Sequence, residues 1–520
     1  MFRRANIGYV FWFFAGIVIT LVFYHPFEQP LISDRAYLVY ISQSFTRDSA
    51  LYSTTTFGYT PLSVLTIGIL MKISSVFSIG TILTARLFGI VFYGLISGSI
   101  FSLARSVFKN IKLAHLTAIL FCGMGYIQIL SGINAEPKLW VLLFSILGMQ
   151  AFYNQKWFLT GLFFCLAAMS WQVAVVSLFA CFLCLPWRSE RLWKSLTRLA
   201  AGVLSGIIPI VLYLTITNQW VDFWDLAVLR KLVVEGEQVG ESPLSWIRKG
   251  IYPHFLLEGF HFLLSLGGIV VVFINMIRKK GPGKNSSENR FLIFLIIYSI
   301  FWSGFNTLDF QSAADLLPLI PAVIFFGAIM LRALTDLINH KVVIRIALGT
   351  FLVYNFFDAV LYRPSFSFSE QKQLMRYVEN QFQTPIAVGF EEYYVLADKQ
   401  LPTRFVRLAP YEDHLIQSSA GGCEQIIKTI KTAEYNAVIE LNRTKRQRSE
   451  STQKLLGTKA LKKVPAFRGE CTDLIISQYC TSNPIDSLKV KIQSIPFGGD
   501  FYVIEHYDVW EFSWQNDQIN

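Results

Sequence analysis

The sequence predicts a polytopic α-helical membrane protein of about 11 spans, followed by a C-terminal extracytoplasmic α/β domain. Of its 520 residues, 53% are hydrophobic and only 16% are charged, whereas roughly a quarter of the residues in soluble domains are charged. Apolar runs that can cross about 30 Å of hydrocarbon recur between residues 7 and 358. Beyond residue 360 charged residues return and the long apolar runs stop. We therefore predict a membrane domain over 1–360 and a water-facing domain over 361–520.

The Lys and Arg clusters predict the orientation of the membrane domain. The net charge of +11 arises largely from clusters between the apolar runs, as the positive-inside rule demands, and this argues against nucleic-acid binding. In this orientation Arg3 and Arg4 lie in the cytoplasm, and the first apolar run crosses to the outer side of the membrane. That run is long for a signal peptide and no cleavage site follows it, so we expect it to be retained. The predicted spans are 7–24, 83–104, 114–132, 138–153, 157–171, 172–187, 199–217, 255–277, 291–305, 316–334 and 342–358.

The segment 61–80 is also apolar, but it does not fit as a span. If it crossed, it would place the next basic cluster outside, against the trend of the other clusters. We therefore predict a helix in the outer interface or a partly re-entrant helix, a geometry that is tolerated where protein or a cavity covers it.

Three regions share the outer face in this topology: loop 25–82, loop 218–254 and the C-terminal domain. In the first loop, Asp34 stands immediately before a helix-like pattern. A carboxylate at this place can cap a helix. It can also act as a general base, because the bilayer and nearby aromatic side chains partly desolvate it. The sequence leaves both roles open, and the position beside the first span gives weight to the catalytic one.

The C-terminal domain combines predicted helices with short apolar strands, which favours a small α/β fold. Residues 369–382 predict an amphipathic helix with Ser369 as its N-cap. No catalytic signature is visible in this domain. The further predicted elements are a strand at 386–390, a helix leading to a strand that ends near Leu441, and strands at 472–479 and 501–512.

The chain has seven cysteines. Cys181 and Cys184 have the spacing of a redox motif, but they lie in an apolar helix, which favours a structural role. Cys471 and Cys480 flank one predicted strand in the outer domain, where disulfides form readily, and both pairing and separate thiols stay open. No Cys and His spacing typical of a metal site is visible, so a divalent metal is possible but has no support in the sequence.

Short motifs follow one another in a defined order along most of residues 1–335. They are Asp34 with Tyr37, Leu51-Tyr52, Gly58-Tyr59-Thr60-Pro61-Leu62, Ala85-Arg86-Leu87, Glu136-Pro137, Gly161 with Ser170-Trp171-Gln172, and the run from Asp315 to Pro321. Together, their order and spacing resemble the integral-membrane GT-C glycosyltransferases. They most resemble the family 39-like branch that contains the protein O-mannosyltransferases and the lipid A aminoarabinose transferases.

The resemblance implies an inverting glycosyltransferase that moves a hexosyl or pentosyl group from a polyprenyl-phosphate-linked donor to an envelope lipid, glycan or protein. Asp34 would act as general base on an acceptor hydroxyl. The lipid phosphate that leaves needs positive charge more than it needs an acid. The candidate phosphate ligands are Arg35, Arg86, Arg230, Lys231, Arg248 and His254. The candidates for binding or orienting the acceptor are Tyr37, Tyr59, Glu136, Gln172 and Asp315.

The chain departs from these families at three places. The aminoarabinose transferases have a Glu-Lys pair just before the loop proline, where this chain has Tyr59-Thr60. Relatives often have Lys at the position of Gln172 and Tyr at the position of Asp315. Phosphate binding must therefore come from other residues, or the donor differs.

Two other functions stay open. A related polysaccharide polymerase or ligase would use lipid-pyrophosphate donors and favour a larger basic outer cavity. A lipid or solute transporter often has internal repeats and carries charges near the bilayer midplane, and the sequence shows neither pattern. We expect a multi-pass protein of the bacterial inner membrane with a cytoplasmic N-terminus. Its expected partners are the lipid-linked sugar, membrane lipids and an envelope acceptor.

Overall fold

The structure of the protein is a computed structural model. The residues that it describes are 2–31, 34–47, 50–133, 136–185, 192–229, 252–277, 287–308, 313–337, 340–361, 367–381, 385–388, 391–400, 416, 421–432, 437–447, 471, 474–475, 478, 480, 486–493 and 502–511.

Helices make up most of the described chain as far as residue 361. Five of these described helices are long and apolar enough to cross a membrane, and shorter apolar helices lie between these five and after the last of them. Within the described residues, each predicted span overlaps helical structure, although the number of crossings stays a prediction. The helices are α1 (Phe2–Tyr24), α2 (Asp34–Thr46), α3 (Leu51–Thr54), α4 (Leu62–Val76), α5 (Thr81–Phe108), α6 (Ile111–Cys122), α7 (Gly125–Ile133), α8 (Pro137–Tyr153), α9 (Trp157–Ser170), α10 (Val175–Leu183), α11 (Leu192–Ile216), α12 (Trp220–Phe223), α13 (Tyr252–Ile277), α14 (Ser287–Leu308), α15 (Ile320–Leu337) and α16 (His340–Leu361).

One predicted span is broken. Residues 114–132 were expected to form a single helix, but α6 ends at Cys122 and α7 begins at Gly125. The break frees the carbonyl of Cys122, which accepts hydrogen bonds from Gln128 Nε2 at 2.6 Å and Asn355 Nδ2 at 3.2 Å. An interruption at membrane depth is tolerated when such buried partners satisfy the backbone.

Helix α4 occupies the segment 61–80, as the sequence predicts. It packs against α2 at Gly68, where an added Cβ would lie 2.9 Å from the carbonyl oxygen of Ser42. Its depth relative to the bilayer stays a prediction.

Glycine allows α9 and α11 to pack at very short distance. An added Cβ at Gly161 of α9 would lie 2.1 Å from the carbonyl oxygen of Leu199, and one at Gly202 of α11 would lie 2.0 Å from that of Phe158. Small residues at such crossings let two helix backbones approach closely within a membrane. This contact fixes the position of α9, which ends at the candidate site described below.

Helix ends that the predicted topology places on the outer side meet one another. The hydroxyl of Thr60 donates to the carbonyl of Ala168, near the end of α9, at 2.9 Å. The amide of Leu51 donates to the hydroxyl of Tyr213, near the end of α11, at 3.1 Å. The loop between α2 and α4 is therefore anchored on the ends of two membrane helices.

The C-terminal part contains helices and one four-stranded sheet, so the α/β prediction is confirmed. The strand order is β1-β2-β4-β3, with β1 and β2 parallel and the other neighbours antiparallel. Parallel strands need a crossover, and the helices between β1 and β2 supply it. The boundary at residue 360 stays a prediction. The elements are α17 (Phe368–Gln381), β1 (Pro385–Val388), α18 (Glu391–Leu396), α19 (Gly422–Thr432), β2 (Ala437–Gln447), β3 (Asp486–Gln493) and β4 (Tyr502–Glu511).

The N-cap of α17 is Ser367 and not Ser369. The backbone amide of Ser367 donates to Glu370 Oε2 at 2.6 Å, and the Ser367 hydroxyl oxygen accepts from the amide of Glu370 at 3.3 Å. This reciprocal pair is a capping box. The hydrogen bonds from Ser367 lower the pKa of Glu370. They therefore stabilise the start of the helix at pH values above the ordinary carboxyl pKa, where Glu370 is ionised, and this stabilisation is lost when acid protonates the carboxylate.

Three expectations for the strands differ from the structure. The strand that was predicted to end near Leu441 is β2, and it continues to Gln447. The described residues of 472–479, namely 474, 475 and 478, are helical, because a short apolar run does not by itself distinguish a strand from a helix. Strand β3 was not predicted, although Leu488, Val490 and Ile492 alternate with polar residues as a strand requires.

The disulfide of the C-terminal part joins Cys423 to Cys471, whose Cα atoms lie 5.4 Å apart. The suggested pairing of Cys471 with Cys480 is therefore wrong. Cys471 lies close to the start of α19 in space although it is 48 residues away in sequence, and sequence spacing alone cannot reveal such proximity.

The glycine contact between α9 and α11 leads to a stability prediction. The substitution Gly202→Ala should lower the free energy of unfolding by about 1–3 kcal/mol, the usual cost of overpacking, because the new methyl group meets the backbone of Phe158. Gly349→Ala is the matched control, since nothing lies within 4 Å of a Cβ there. Thermal unfolding of both variants in the same lipid nanodiscs tests this. Equal midpoints would contradict the close crossing.

Candidate functional site

Helix α2 begins at Asp34, so its backbone places this residue in the first turn. The side chain of Asp34 lies outside the described residues, and its role as base stays a prediction. Tyr37 follows three residues later, on the same face of the helix. The body of α2 is held in the core, because Ala36, Val39 and Ile41 are each 0% exposed.

Tyrosine hydroxyl groups fix the path of the segment 55–60. Tyr37 donates to the carbonyl of Thr56 at 3.2 Å, and Tyr52 donates to the carbonyl of Tyr59 at 2.8 Å. Burial, together with the neighbouring phenols of Tyr213 and Tyr37, raises the pKa of Tyr52 well above its ordinary value. Tyr52 therefore remains a neutral donor at physiological pH, and the segment that leads to Tyr59 is held in place.

Three charged side chains meet where α8 begins. Lys138 Nζ lies 2.7 Å from Asp315 Oδ1 and 3.9 Å from Glu136 Oε1. The Asp315 side chain is only 3% exposed, and those of Lys138 and Glu136 are 12% and 16% exposed. Among the described residues, two carboxylates and one ammonium make up this ion cluster. Tyr59 lies within electrostatic range of Lys138, so the outer loop borders the cluster.

The cluster lies against an aromatic wall. Lys138 Nζ lies 5.2 Å from the centroid of the Trp171 ring, within the range of a cation–π interaction. Trp171 in turn stacks on Trp302, with ring centroids 5.6 Å apart. Trp171 has an extended backbone conformation that separates α9 from the helical turn 172–174, and this break turns its indole toward α14.

Gln172 joins two outer segments immediately beyond that break. Its Nε2 donates to the carbonyl of Gly58 at 3.2 Å and to that of Ala227 at 3.0 Å. The structure thus places four of the five predicted orienting residues in one region, namely Tyr59, Glu136, Gln172 and Asp315. The fifth, Tyr37, donates to the carbonyl of Thr56 and so supports the segment 55–60.

Sequence reasoning missed two residues here. Lys138 is a cation on the predicted outer side, and that departure from the positive-inside trend was the available signal. Asn306 is 0% exposed, and neither of its amide side-chain atoms has a hydrogen-bond partner among the described residues. It adjoins Phe305, whose ring packs 5.8 Å from Trp171. A buried amide in this state is rare and needs an explanation, and a hydroxyl-rich ligand would supply its partners.

Arg86 has structural contacts. Its guanidinium donates to the carbonyl of Phe27 at 2.7 Å and to that of Gln29, and lies 4.0 Å from the centroid of the Phe368 ring. These contacts fix the segment that follows α1, and they do not support the prediction that Arg86 binds a donor phosphate. Arg35 is half-buried in the first turn of α2.

Arg230, Lys231 and Arg248 lie outside the described residues, and so does the side chain of His254, which belongs to α13. Within the described ranges, no three His, Cys, Asp or Glu side chains lie close enough to hold a metal ion.

The arrangement can contact charged groups and hydroxyl groups of a ligand. It offers an ammonium, carboxylates, buried amides and indole rings at the ends of apolar helices. An ammonium bonded to a carboxylate can exchange that partner for a ligand phosphate, because both are oxyanions. The carboxylates and amides can accept or donate hydrogen bonds to hydroxyl groups.

Comparison with known proteins shows the fold. No protein-family model and no curated protein sequence matches the chain. The structure is similar to the crystal structure of ArnT from Cupriavidus metallidurans bound to undecaprenyl phosphate, with 13% identity, a TM-score of 0.60 and coverage of 88% of this chain and 96% of that one. For the apo state of that protein, the identity is 13%, the TM-score is 0.57 and the coverages are 89% and 97%. The expected GT-C-like membrane fold is therefore confirmed.

The buried ion pair leads to a second prediction. Lys138→Ala should lower the free energy of unfolding by about 3–5 kcal/mol, because it leaves the buried charge of Asp315 without its ammonium. The double variant Lys138→Met/Asp315→Leu should recover most of this loss, since both charges are gone.

Glu288→Gln is the control for this prediction. Its carboxylate pairs with Arg332 at 3.9 Å with both side chains well exposed, so the loss should stay below about 1 kcal/mol. Thermal unfolding in nanodiscs compares the variants. A double variant as unstable as Lys138→Ala would contradict the pairing.

Proposed function

We propose that this protein is an inverting glycosyltransferase that uses a polyprenyl-phosphate-linked sugar at the outer face of the membrane. The observation that carries the proposal is the similarity, over nearly the whole of both chains, to ArnT bound to undecaprenyl phosphate. The acceptor would be an envelope lipid, glycan or protein. We also propose that the chain spans the inner membrane many times with its C-terminal part outside, where the disulfide between Cys423 and Cys471 can form.

Asp34 is the proposed general base. Its carboxylate would take the proton of an acceptor hydroxyl while the oxygen forms a bond to the anomeric carbon of the donor sugar. The bond between that carbon and the phosphate oxygen breaks in the same step, and the electron pair leaves with the polyprenyl phosphate. Attack from the face opposite the leaving group inverts the anomeric centre. Holding base, hydroxyl and anomeric carbon together supplies much of the rate.

The leaving phosphate gains negative charge, so a cation beside it lowers the barrier. Lys138 is our proposed cation, because it lies at the outer end of α8 and already binds the oxyanion of Asp315. Arg35 and the residues Arg230, Lys231, Arg248 and His254 remain further candidates. In this proposal Lys138 takes the role of the lysine that relatives often have at the position of Gln172.

The remaining polar groups would select and orient the sugar and the acceptor. Glu136 and Tyr59 border the ammonium of Lys138. Asn306 offers a buried amide on α14, four residues after Trp302 and next to Phe305, whose ring packs against Trp171 and Trp302. Indole rings suit the apolar face of a sugar ring, and amides suit its hydroxyl groups.

The substitution Asp34→Asn tests the base directly. Transfer from a radiolabelled polyprenyl-phosphate sugar to envelope acceptors should fall by at least about 100-fold, the lower range of general-base contributions. The assay measures lipid-linked label lost and acceptor label gained in proteoliposomes, with a panel of donors. Thermal unfolding checks that the variant is folded.

Asp225→Asn is the matched control, because it is also a carboxylate in an outer segment and is exposed. Its transfer rate should equal that of the wild type. A wild-type transfer rate in the Asp34→Asn variant would contradict the proposed mechanism. Turnover restricted to lipid-pyrophosphate donors would favour the polymerase or ligase reading, and lipid movement without transfer would favour a transporter.

A ligand experiment tests the donor class separately. Undecaprenyl phosphate at 100 times its Kd should raise the free energy of unfolding by about 2.7 kcal/mol. Undecaprenol has the same chain without the phosphate and should have a much smaller effect, because it makes no ionic contact. Unfolding curves in nanodiscs at several lipid fractions measure both. Equal stabilisation by the two lipids would contradict a phosphate site.

A further inference from the structure

We propose that the C-terminal part positions the outer-loop helix α2 for catalysis, with Gln371 and Asp398 as the positioning residues. This inference rests on the proposed function, because it assigns to Gln371 and Asp398 the task of holding the helix that begins at Asp34. It gives a role to a region in which the sequence shows no catalytic signature.

The first contact lies just before Asp34. Gln371 of α17 is 3% exposed, and Leu31 is 0% exposed. The amide of Leu31 donates to Gln371 Oε1 at 2.9 Å, and Gln371 Nε2 donates to the carbonyl of Leu31 at 2.5 Å. One side chain therefore satisfies both polar groups of a buried backbone residue that lies three positions before Asp34. A buried peptide group needs such partners, so this contact specifies where the chain enters α2.

The same segment is fixed from a second side. The amide of Phe368, the first residue of α17, donates to the carbonyl of Glu28 at 2.8 Å. Arg86 of α5 binds the carbonyls of Phe27 and Gln29 and lies over the Phe368 ring. The segment 27–31 is thus held between a membrane helix and the C-terminal part. The capping box at Ser367 and Glu370 fixes the start of α17 and so supports this contact.

Near its other end, α2 contacts Asp398, whose side chain is 76% exposed whereas that of Arg47 is 19% exposed. Asp398 Oδ1 accepts from Gln43 Nε2 at 2.5 Å and from an Arg47 guanidinium nitrogen at 2.5 Å. Arg47 also donates to the carbonyl of Lys399 at 3.2 Å. Between these ends, Tyr394 of α18 packs on Tyr40, with ring centroids 6.0 Å apart. Helix α2 is therefore bound by the C-terminal part before its start, in its middle and near its end.

A reaction that depends on one catalytic base requires that this base be held in a fixed position. A displacement of about 1 Å can cost about 100-fold in rate, and supporting contacts keep catalytic groups within about 0.5 Å of their productive positions. Helix α4 packs against the body of α2 at Gly68. The contacts of Gln371 and Asp398 add restraints just before the start of α2 and near its end.

The test is Gln371→Leu, which removes both bonds to Leu31 and keeps a side chain of similar length. Amide exchange at Leu31 should become about tenfold faster or more, because the amide loses a buried acceptor. In the transfer assay, kcat should fall by about tenfold or more while the KM for the donor stays within about twofold. Gln373→Leu is the matched control: the same substitution, two residues later on α17, at an exposed side chain. It should change neither quantity.

A second set of variants guards against loss of folding. Asp398→Ala should speed amide exchange between Gln43 and Arg47 and lower kcat. Reversing the pair, with Arg47→Asp and Asp398→Arg together, should restore both quantities relative to either single variant, which a nonspecific loss of packing would not do.

Two outcomes overturn the positioning role: unchanged exchange at Leu31 in Gln371→Leu, or faster exchange with an unchanged kcat. If the wild type transfers no sugar from any donor, the proposed function fails and the catalytic meaning of the contact fails with it. The exchange measurements then still show whether Gln371 holds the outer loop, so the two failures are distinguishable.

Discussion

The bond between Lys138 and Asp315 joins two parts of the chain that are far apart in sequence, the start of α8 and the turn that leads into α15. Both side chains are largely withdrawn from solvent at the ends of apolar helices, where a charge without a partner is costly. The pair therefore fixes these ends relative to each other. The stacked Trp171 and Trp302 rings pack beside it, and Gln172 fastens the outer loop to the same place.

A catalytic role for this region also depends on helix α2, which begins at Asp34. Helix α2 is attached to the membrane helices by short connections, and the C-terminal part holds it through Gln371, Asp398 and Tyr394. The membrane part would then provide the charges and aromatic rings, and the C-terminal part would provide the placement of the base. In this account the two parts form one catalytic unit.

The sequence predicts the helical part well, because long apolar runs and basic clusters are direct consequences of the bilayer. It also identifies Glu136, Gln172 and Asp315, which the structure brings together. It misses what depends on tertiary contact. The sequence does not show that Lys138 lies 2.7 Å from Asp315, nor that the Arg86 guanidinium donates to backbone carbonyls. Cys471 pairs with a cysteine 48 residues away, and not with its near neighbour Cys480.

The most direct test of the central claim is a structure of the protein in nanodiscs with a non-transferable phosphonate analogue of a polyprenyl-phosphate sugar. The account predicts that the phosphonate lies beside Lys138 and that the Asp34 carboxylate faces the anomeric carbon across a gap that fits one hydroxyl, about 3–3.5 Å for each contact. An Asp34 carboxylate that points into solvent, with the phosphonate bound elsewhere, would contradict it.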